Sequence, residues 1–368
     1  VIERKDGKRF TVAITSLSDD DQEYVVKYAS EAKPAPEPKP AAPHDGAKTS
    51  APQDDRGMLA GYDGSHPNFG DPWPTLVKCE DKVEITVVKE DGEAKQFIYE
   101  SPHFRFQSNA VMRKSLISKV ALLFEASYEW HKSVPLNNRR TRSKGAPKLQ
   151  AKLFETMDEY HDAGGPVGSA GVYMGGPDTF MVPFSEVGAK KVGSGYMYDF
   201  NGDPHTMLHE LTHQLWADVG NSSATWLTEG FAEYMGCVPY RGGSFSYAGH
   251  ARAIKEYALA YGKKGNGGRA LGDHITMPRL ERLMAMSQPQ FYAYGNKNYG
   301  YGLLLTTYFI DMDGGKDGAV FKKAVQAMQE GKSPEEVNKV LLNGRSYEDL
   351  EHDFAKAWRG SGATIEFQ

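Results

Sequence analysis

The sequence is poor in cysteine, has no long apolar run and carries little excess charge. Cys79 and Cys237 are the only cysteines in 368 residues. Two thiols cannot build a disulfide scaffold; they either form one bridge in an oxidising compartment or sit apart in the core. No run of about 18 apolar residues exists, so no membrane span is expected. A net charge of −5 gives no reason to expect nucleic acid or an anionic membrane as a partner. The glycine clusters do not follow the G-x-x-x-x-G-K-S/T phosphate-binding pattern and read as turns. There is no internal repeat.

What is present suits a folded chain with a real core. Hydrophobic residues make up 40% and charged residues 25%, near the average for globular domains. The length suits one large domain or two modest ones. Residues 1–30 form a small β/α unit: "KRFTVAI" alternates as a strand does, and "SLSDDDQEYVVKYASEA" has Ser18 as N-cap with acidic residues in the first turn. This stretch is similar to the C-terminal half of the Sla-type homology domain; no ligand follows from that. Residues 31–69 are a linker rich in proline and alanine, unable to bury enough apolar surface to fold alone. The main domain is expected over 70–368. The start at Val1 rather than methionine, with this linker, leads us to expect a processed chain of secreted or envelope location.

Strands come first in the main domain. "KVEITVVKEDGEAKQFIYE" predicts a hairpin turning at "EDGE", and "HFRFQS", "PKLQAKLFE", "TFMVPF" and "GSGYMYDF" predict further strands. Among them lies one long amphipathic helix, "NAVMRKSLISKVALLFEASYEWHK", with Leu116, Val120, Leu123 and Phe124 on one face. From about residue 203 helices take over, ending in three with clear start and stop signals between residues 316 and 360. Strands followed by helices indicate an α+β domain with a β-rich N-terminal half and a helical C-terminal half.

The segment with most chemistry is "HTMLHELTHQLW", residues 205–216. Residues four apart share one face of a helix. His209 and His213 can therefore offer two imidazoles to one ion, with Glu210 beside it. Zinc suits two neutral imidazoles and a carboxylate, leaving a fourth position for water. It makes hydroxide available near neutral pH, and Glu210 can take the proton and pass it on. The bland alternative is an amphipathic helix whose histidines only pack. "TWLTEGFAEY" weighs against that alternative. It places Glu229 sixteen positions after His213, on a second helical segment that a short loop allows to pack antiparallel. Glu233, one turn later, can accept the other N–H of a zinc histidine.

"HELTHQLW…WLTEGFAEY" resembles the gluzincin metallopeptidases: thermolysin-like enzymes, the aminopeptidases, and a bacterial gluzincin-like family of uncharacterised function. The resemblance implies a zincin-like (thermolysin-like) fold and one Zn2+ on His209, His213 and Glu229. It also implies Glu210 as general base and hydrolysis of a peptide or protein substrate. The gap before the third ligand is three residues shorter than in the aminopeptidases, and their G-x-M-E-N signature is missing, so recognition of a free amine is not implied. His205 is then expected to support or cap the helix rather than bind. The aminopeptidase Y-x-x-G-x-x-L pattern matches at Tyr299 and Gly302 and implies Tyr299 as oxyanion donor, with Tyr294 and Tyr301 in reserve. In this clan an edge strand pairs with extended substrate, and "VGSGYMYDF", residues 192–200, is the expected segment.

The remaining histidines (His44, His103, His131, His161, His250, His274 and His352) have no ligand partner at readable spacing and are expected to be surface or core residues. "NNRRTRSKG" and "KKGNGGR" are expected to be solvated basic loops. The main rival to a peptidase is a non-catalytic zinc-containing module that binds peptide or protein.

Overall fold

The computed structural model describes residues 2–3, 9–10, 68–79, 82–141, 147–193, 195–199, 204–220, 223–259, 268–314 and 317–368. Near the start, Ile2–Glu3 pairs antiparallel with Arg9–Phe10. The helix expected after Ser18 and nearly all of the linker lie outside the described residues.

The domain is built on a six-stranded mixed sheet: β1 (Thr86–Asp91), β2 (Gln96–Glu100), β3 (Phe104–Ser108), β4 (Leu149–Phe154), β5 (Val172–Met174) and β6 (Thr179–Pro183), in the order β1-β2-β3-β4-β6-β5. The β3–β4 and β4–β6 pairs are parallel, and β5 runs antiparallel to β6 at one edge. The first hairpin turns two residues later than "EDGE" suggests, at 92–95. There Asp91 Oδ1 accepts the Ala94 N–H at 2.9 Å and Lys95 takes a φ of 49°.

Helix α1 (Lys114–Ser133) lies between β3 and β4 in sequence, as a crossover between parallel strands must. Leu116, Val120, Leu123 and Phe124 are all at most 3% exposed, worth roughly 1.5–3 kcal/mol each in removed apolar surface. Phe124 sits edge-on against Phe104, Phe106 and Phe180, locking α1 to the sheet.

The described residues of the stretch 192–200 expected at the edge do not join this sheet. Gly195–Tyr198 pairs with Ala189–Val192 in a separate two-stranded hairpin. The edge is the shorter β5, and its turn is braced by Arg140, whose Nη2 bonds both Asp178 oxygens at 2.7 and 2.8 Å.

Beyond residue 204 the chain is mainly helical, so the α+β expectation is met at that level. Helix α2 (His205–Leu215) is buried on nearly all sides. Gln214 Nε2 donates to the Gln150 carbonyl at 2.9 Å, tying α2 to β4, and Asn138 Nδ2 donates to the Leu215 carbonyl at 3.1 Å. Helix α3 (Thr225–Gly236) packs along α2, and helix α4 (Gly295–Thr307) along α3. The crossing of α3 and α4 is possible because glycines meet there. A Cβ on Gly302 would lie 2.9 Å from the Trp226 carbonyl oxygen, and one on Gly230 would collide with the Gly302 backbone. The three C-terminal helices run over Ala319–Gln329, Pro334–Leu342 and Tyr347–Gly360, the last two opened by capping boxes at Ser333 and Ser346. The final strand, Thr364–Phe367, pairs parallel with His274–Met277; neither strand has a sequence signal strong enough to expect. Among the described residues no helix is long and apolar enough to cross a membrane. Cys79 and Cys237 stand as thiols, the latter buried.

Candidate metal centre

Helix geometry puts His209 and His213 on one face of α2, and the antiparallel α3 presents Glu229 to them. His209 Nε2 and His213 Nε2 are 3.0 Å apart, and Glu229 Oε2 is 3.2 Å from each. Zinc binds such atoms at about 2.0–2.1 Å, and a tetrahedral set at that radius has ligands about 3.3 Å apart. The triangle matches one face of that tetrahedron. Glu229 Oε2 is buried and accepts no well-aligned hydrogen bond, so a buried anionic oxygen faces two imidazole nitrogens. That donor set fits a divalent cation. It is the one group of this kind among the described residues.

The electrostatics are those of a buried pocket dominated by carboxylates. Burial works against a charged His209, yet Glu229 and Glu233 outweigh it and push the imidazole pKa up to about 10. Burial would raise the Glu229 carboxyl, but the His213 and His209 rings hold it well below the usual range. The carboxylates therefore favour positive charge here, which a proton on His209 supplies as a cation would, and a cation binds only by displacing that proton.

A second tier holds these groups in place. His209 Nδ1 is 2.9 Å from Glu233 Oε1, an ion-pair distance although off the ideal hydrogen-bond direction. Glu233 is fully buried and bonded by Arg269 through Nη2 at 2.6 Å and Nε at 2.8 Å. Burial would raise the Glu233 carboxyl, and Arg269 more than reverses that. Arg269 also lies over the Tyr299 ring, 4.6 Å from its centroid. This corrects the reading of "KKGNGGR" as solvated throughout: its last residue is sandwiched and paired. Tyr292 donates to Glu229 Oε1 at 2.7 Å, occupying the carboxylate oxygen that does not face the imidazoles. His205 is buried at the start of α2, stacked on Tyr257 with centroids 3.8 Å apart, and its Nε2 is 3.9 Å from Glu233 Oε2. It stands outside the three-atom cluster.

His209, His213, Glu229, Tyr292 and Tyr299 line a cleft of about 510 Å³ between the edge of the sheet and the helices. Val172, Tyr173 and Gly175 form one wall; Gln288, Tyr292 and Tyr299 form the other. Glu210 projects into the cleft from α2, and Tyr173 N–H donates to its Oε2 at 2.9 Å. Burial raises the Glu210 carboxyl pKa, the direction a proton acceptor working near neutral pH requires. Of the three tyrosines weighed as donors, only Tyr299 lines the cleft. Tyr294 is 47% exposed, and Tyr301 is buried with its hydroxyl donating to the Thr276 carbonyl at 2.9 Å. Burial, with Glu229 adding to it, raises the Tyr299 phenol pKa, so it stays a proton-bearing donor.

No protein-family model matches the chain, and no curated protein matches it either.

Proposed function

We propose that the protein is a zinc-dependent hydrolase of peptide bonds, of gluzincin type, acting on peptide or protein in this cleft. The observation that carries the proposal is the convergence of His209 Nε2, His213 Nε2 and Glu229 Oε2 within 3.2 Å, with Glu210 next in sequence to a candidate ligand and facing the same cleft. When bound, zinc supplies Lewis acidity and makes hydroxide available near neutral pH. The chain's residues do the rest. Glu210 takes the proton of the attacking water and returns it to the leaving nitrogen. Tyr299 donates to the carbonyl oxygen as negative charge develops there. Glu233 and Arg269 keep the His209 ring oriented. The β5 edge offers backbone groups to an extended chain.

The test compares wild type with Glu210→Gln by metal content and by cleavage of a broad peptide library. One zinc per chain is expected in both proteins. Cleavage sensitive to chelators is expected in wild type only, with a loss of about 10²–10⁴-fold in the variant. Zinc in both with equal residual cleavage would instead identify a non-catalytic peptide-binding module. No stoichiometric metal in either protein would remove the basis of the proposal.

A further inference from the structure

The edge strand beside the candidate metal centre is short and paired on one side only. β5 meets β6 through three residues, with Tyr173 opposite Phe180. Val172 and Tyr173 also line the cleft, and there the Tyr173 N–H holds Glu210 Oε2 at 2.9 Å. Pairing within a sheet sets the register of a strand. Its distance from a helix beside the sheet has to be set by other contacts.

A chain of side chains supplies them. The Tyr173 hydroxyl donates to Asp178 Oδ1 at 2.8 Å, across the turn that joins β5 to β6. Arg140 Nη2 donates to both oxygens of that carboxylate, a charge-assisted contact. Asp178 takes a φ of 48°, a left-handed backbone best suited to glycine. Arg140 is anchored in turn to the far end of α2. Its N–H donates to Asn138 Oδ1 at 3.0 Å, and Asn138 Nδ2 donates to the carbonyl of Leu215, the last residue of α2. Arg140 Nη1 lies 3.5 Å from Asp218 Oδ1 in the short helix Ala217–Gly220 that follows. The polar contacts run in a ring: from Leu215 through Asn138, Arg140, Asp178 and Tyr173, and back to α2 at Glu210.

Resting on the metallopeptidase reading above, we propose that Arg140 is a positioning residue for Glu210: it holds the turn of β5 at a fixed reach from α2, and so keeps the Tyr173 N–H where it orients the Glu210 carboxylate. The Arg140 side chain is 15% exposed, so it makes these bonds largely screened from bulk water. A reacting group misplaced by about 1 Å can cost on the order of 10²-fold in rate.

The experiment measures kcat and KM of zinc-loaded protein on a peptide that wild type cleaves, with zinc content and urea unfolding alongside. Wild type, Arg140→Met, Glu210→Gln and the double variant form a cycle. Arg140→Met is expected to keep one zinc per chain and to lose roughly 10- to 100-fold in kcat, with KM little changed. In the Glu210→Gln background the same change should cost nothing further, because the carboxylate it positions is gone. A merely structural role would lower kcat by equal factors in both backgrounds. If Arg140→Met fails to fold, Asp178→Gly decides. Glycine suits the φ of 48°, and both side-chain bonds are cut. The same loss of kcat is expected, again absent from the Glu210→Gln background. Equal losses in both backgrounds, or a kcat that does not move, overturn the inference and leave the hydrolase standing. No chelator-sensitive cleavage of any peptide by wild type removes both.

Discussion

Two histidines, both nearly inaccessible to solvent and both touching helix α2 or belonging to it, have opposite fates. His131, in the last turn of α1, meets only neutral groups. Trp216 Nε1, which can only donate, bonds His131 Nδ1 at 2.8 Å. The ring proton must then sit on Nε2, which donates to Thr212 Oγ1 at 3.2 Å, and that hydroxyl donates to the Leu208 carbonyl at 2.7 Å. Burial pulls this imidazole down to about 3, so it is neutral at any ordinary pH. His209 is also buried, but its two nitrogens face Glu229 and Glu233, and its pKa is raised to about 10. Burial sets how costly a charge is, and the neighbours set whether one is called for. Helix α2 therefore has one side fastened by a neutral hydrogen-bond chain and another where carboxylates favour positive charge.

The largest way to break this contrast is to make the His209 side resemble the His131 side. Glu229→Gln keeps the shape and removes the charge that faces both imidazoles. Zinc affinity is expected to fall by more than the roughly 10–100-fold that loss of an outer partner costs, and cleavage with it. Competition with a chromophoric chelator measures the first, and an unchanged affinity would mean that this carboxylate is not what recruits the ion.

Glu233→Gln is the next step down. It touches His209 from the far side, so zinc affinity should fall by roughly 10–100-fold. It also leaves the Arg269 guanidinium without its carboxylate, which should lower stability by about 3–5 kcal/mol. The double variant Glu233→Gln/Arg269→Gln sharpens the comparison. It removes the stranded charge, so urea unfolding should show part of the stability returning while zinc affinity stays low. If both properties returned together, orientation of His209 would not be the role of Glu233.

Much of this centre could be read before any coordinates, because it depends on short-range helical arithmetic. Four-residue spacing joins His209 to His213 and Glu229 to Glu233, and a brief loop brings the two helices alongside. Tyr299 and Gly302 are likewise three apart on one face of α4. Arg269 was hidden because one arginine ending a glycine-rich stretch has no period to betray its partner. The Tyr292–Glu229 bond joins α3 to the short helix Gln288–Ala293 across 63 residues of chain, a property of two separate segments that neither shows alone. The edge strand was misplaced for a related reason. Residues 195–198 (Gly, Tyr, Met, Tyr) place an aromatic at every second position, a more visible strand signal than the three residues of β5, whose place is set by pairing with the fully buried β6. His131 carried no signal beyond being buried or exposed, and its partner Trp216 lies 85 residues away.

The smallest effect tests the neutral side of the contrast. The unfolded His131 binds a proton below about pH 6.5 that the folded protein rejects until about 3. Stability should therefore fall on acidification through that window, by about 1.4 kcal/mol per pH unit from this residue. His131→Gln has no such linkage. The variant should be less stable at pH 7.5, by roughly 1–3 kcal/mol for disturbing the bonds to Trp216 and Thr212. The gap between the two proteins should then narrow by about 2 kcal/mol between pH 7.5 and pH 5. Urea unfolding of both, in chelator so that metal loss does not intervene, gives the gap directly, since every other titrating group contributes alike to the two. A gap that stays constant would mean that the folded imidazole accepts its proton as freely as the unfolded one, and His131 and His209 would then differ in partners but not in charge.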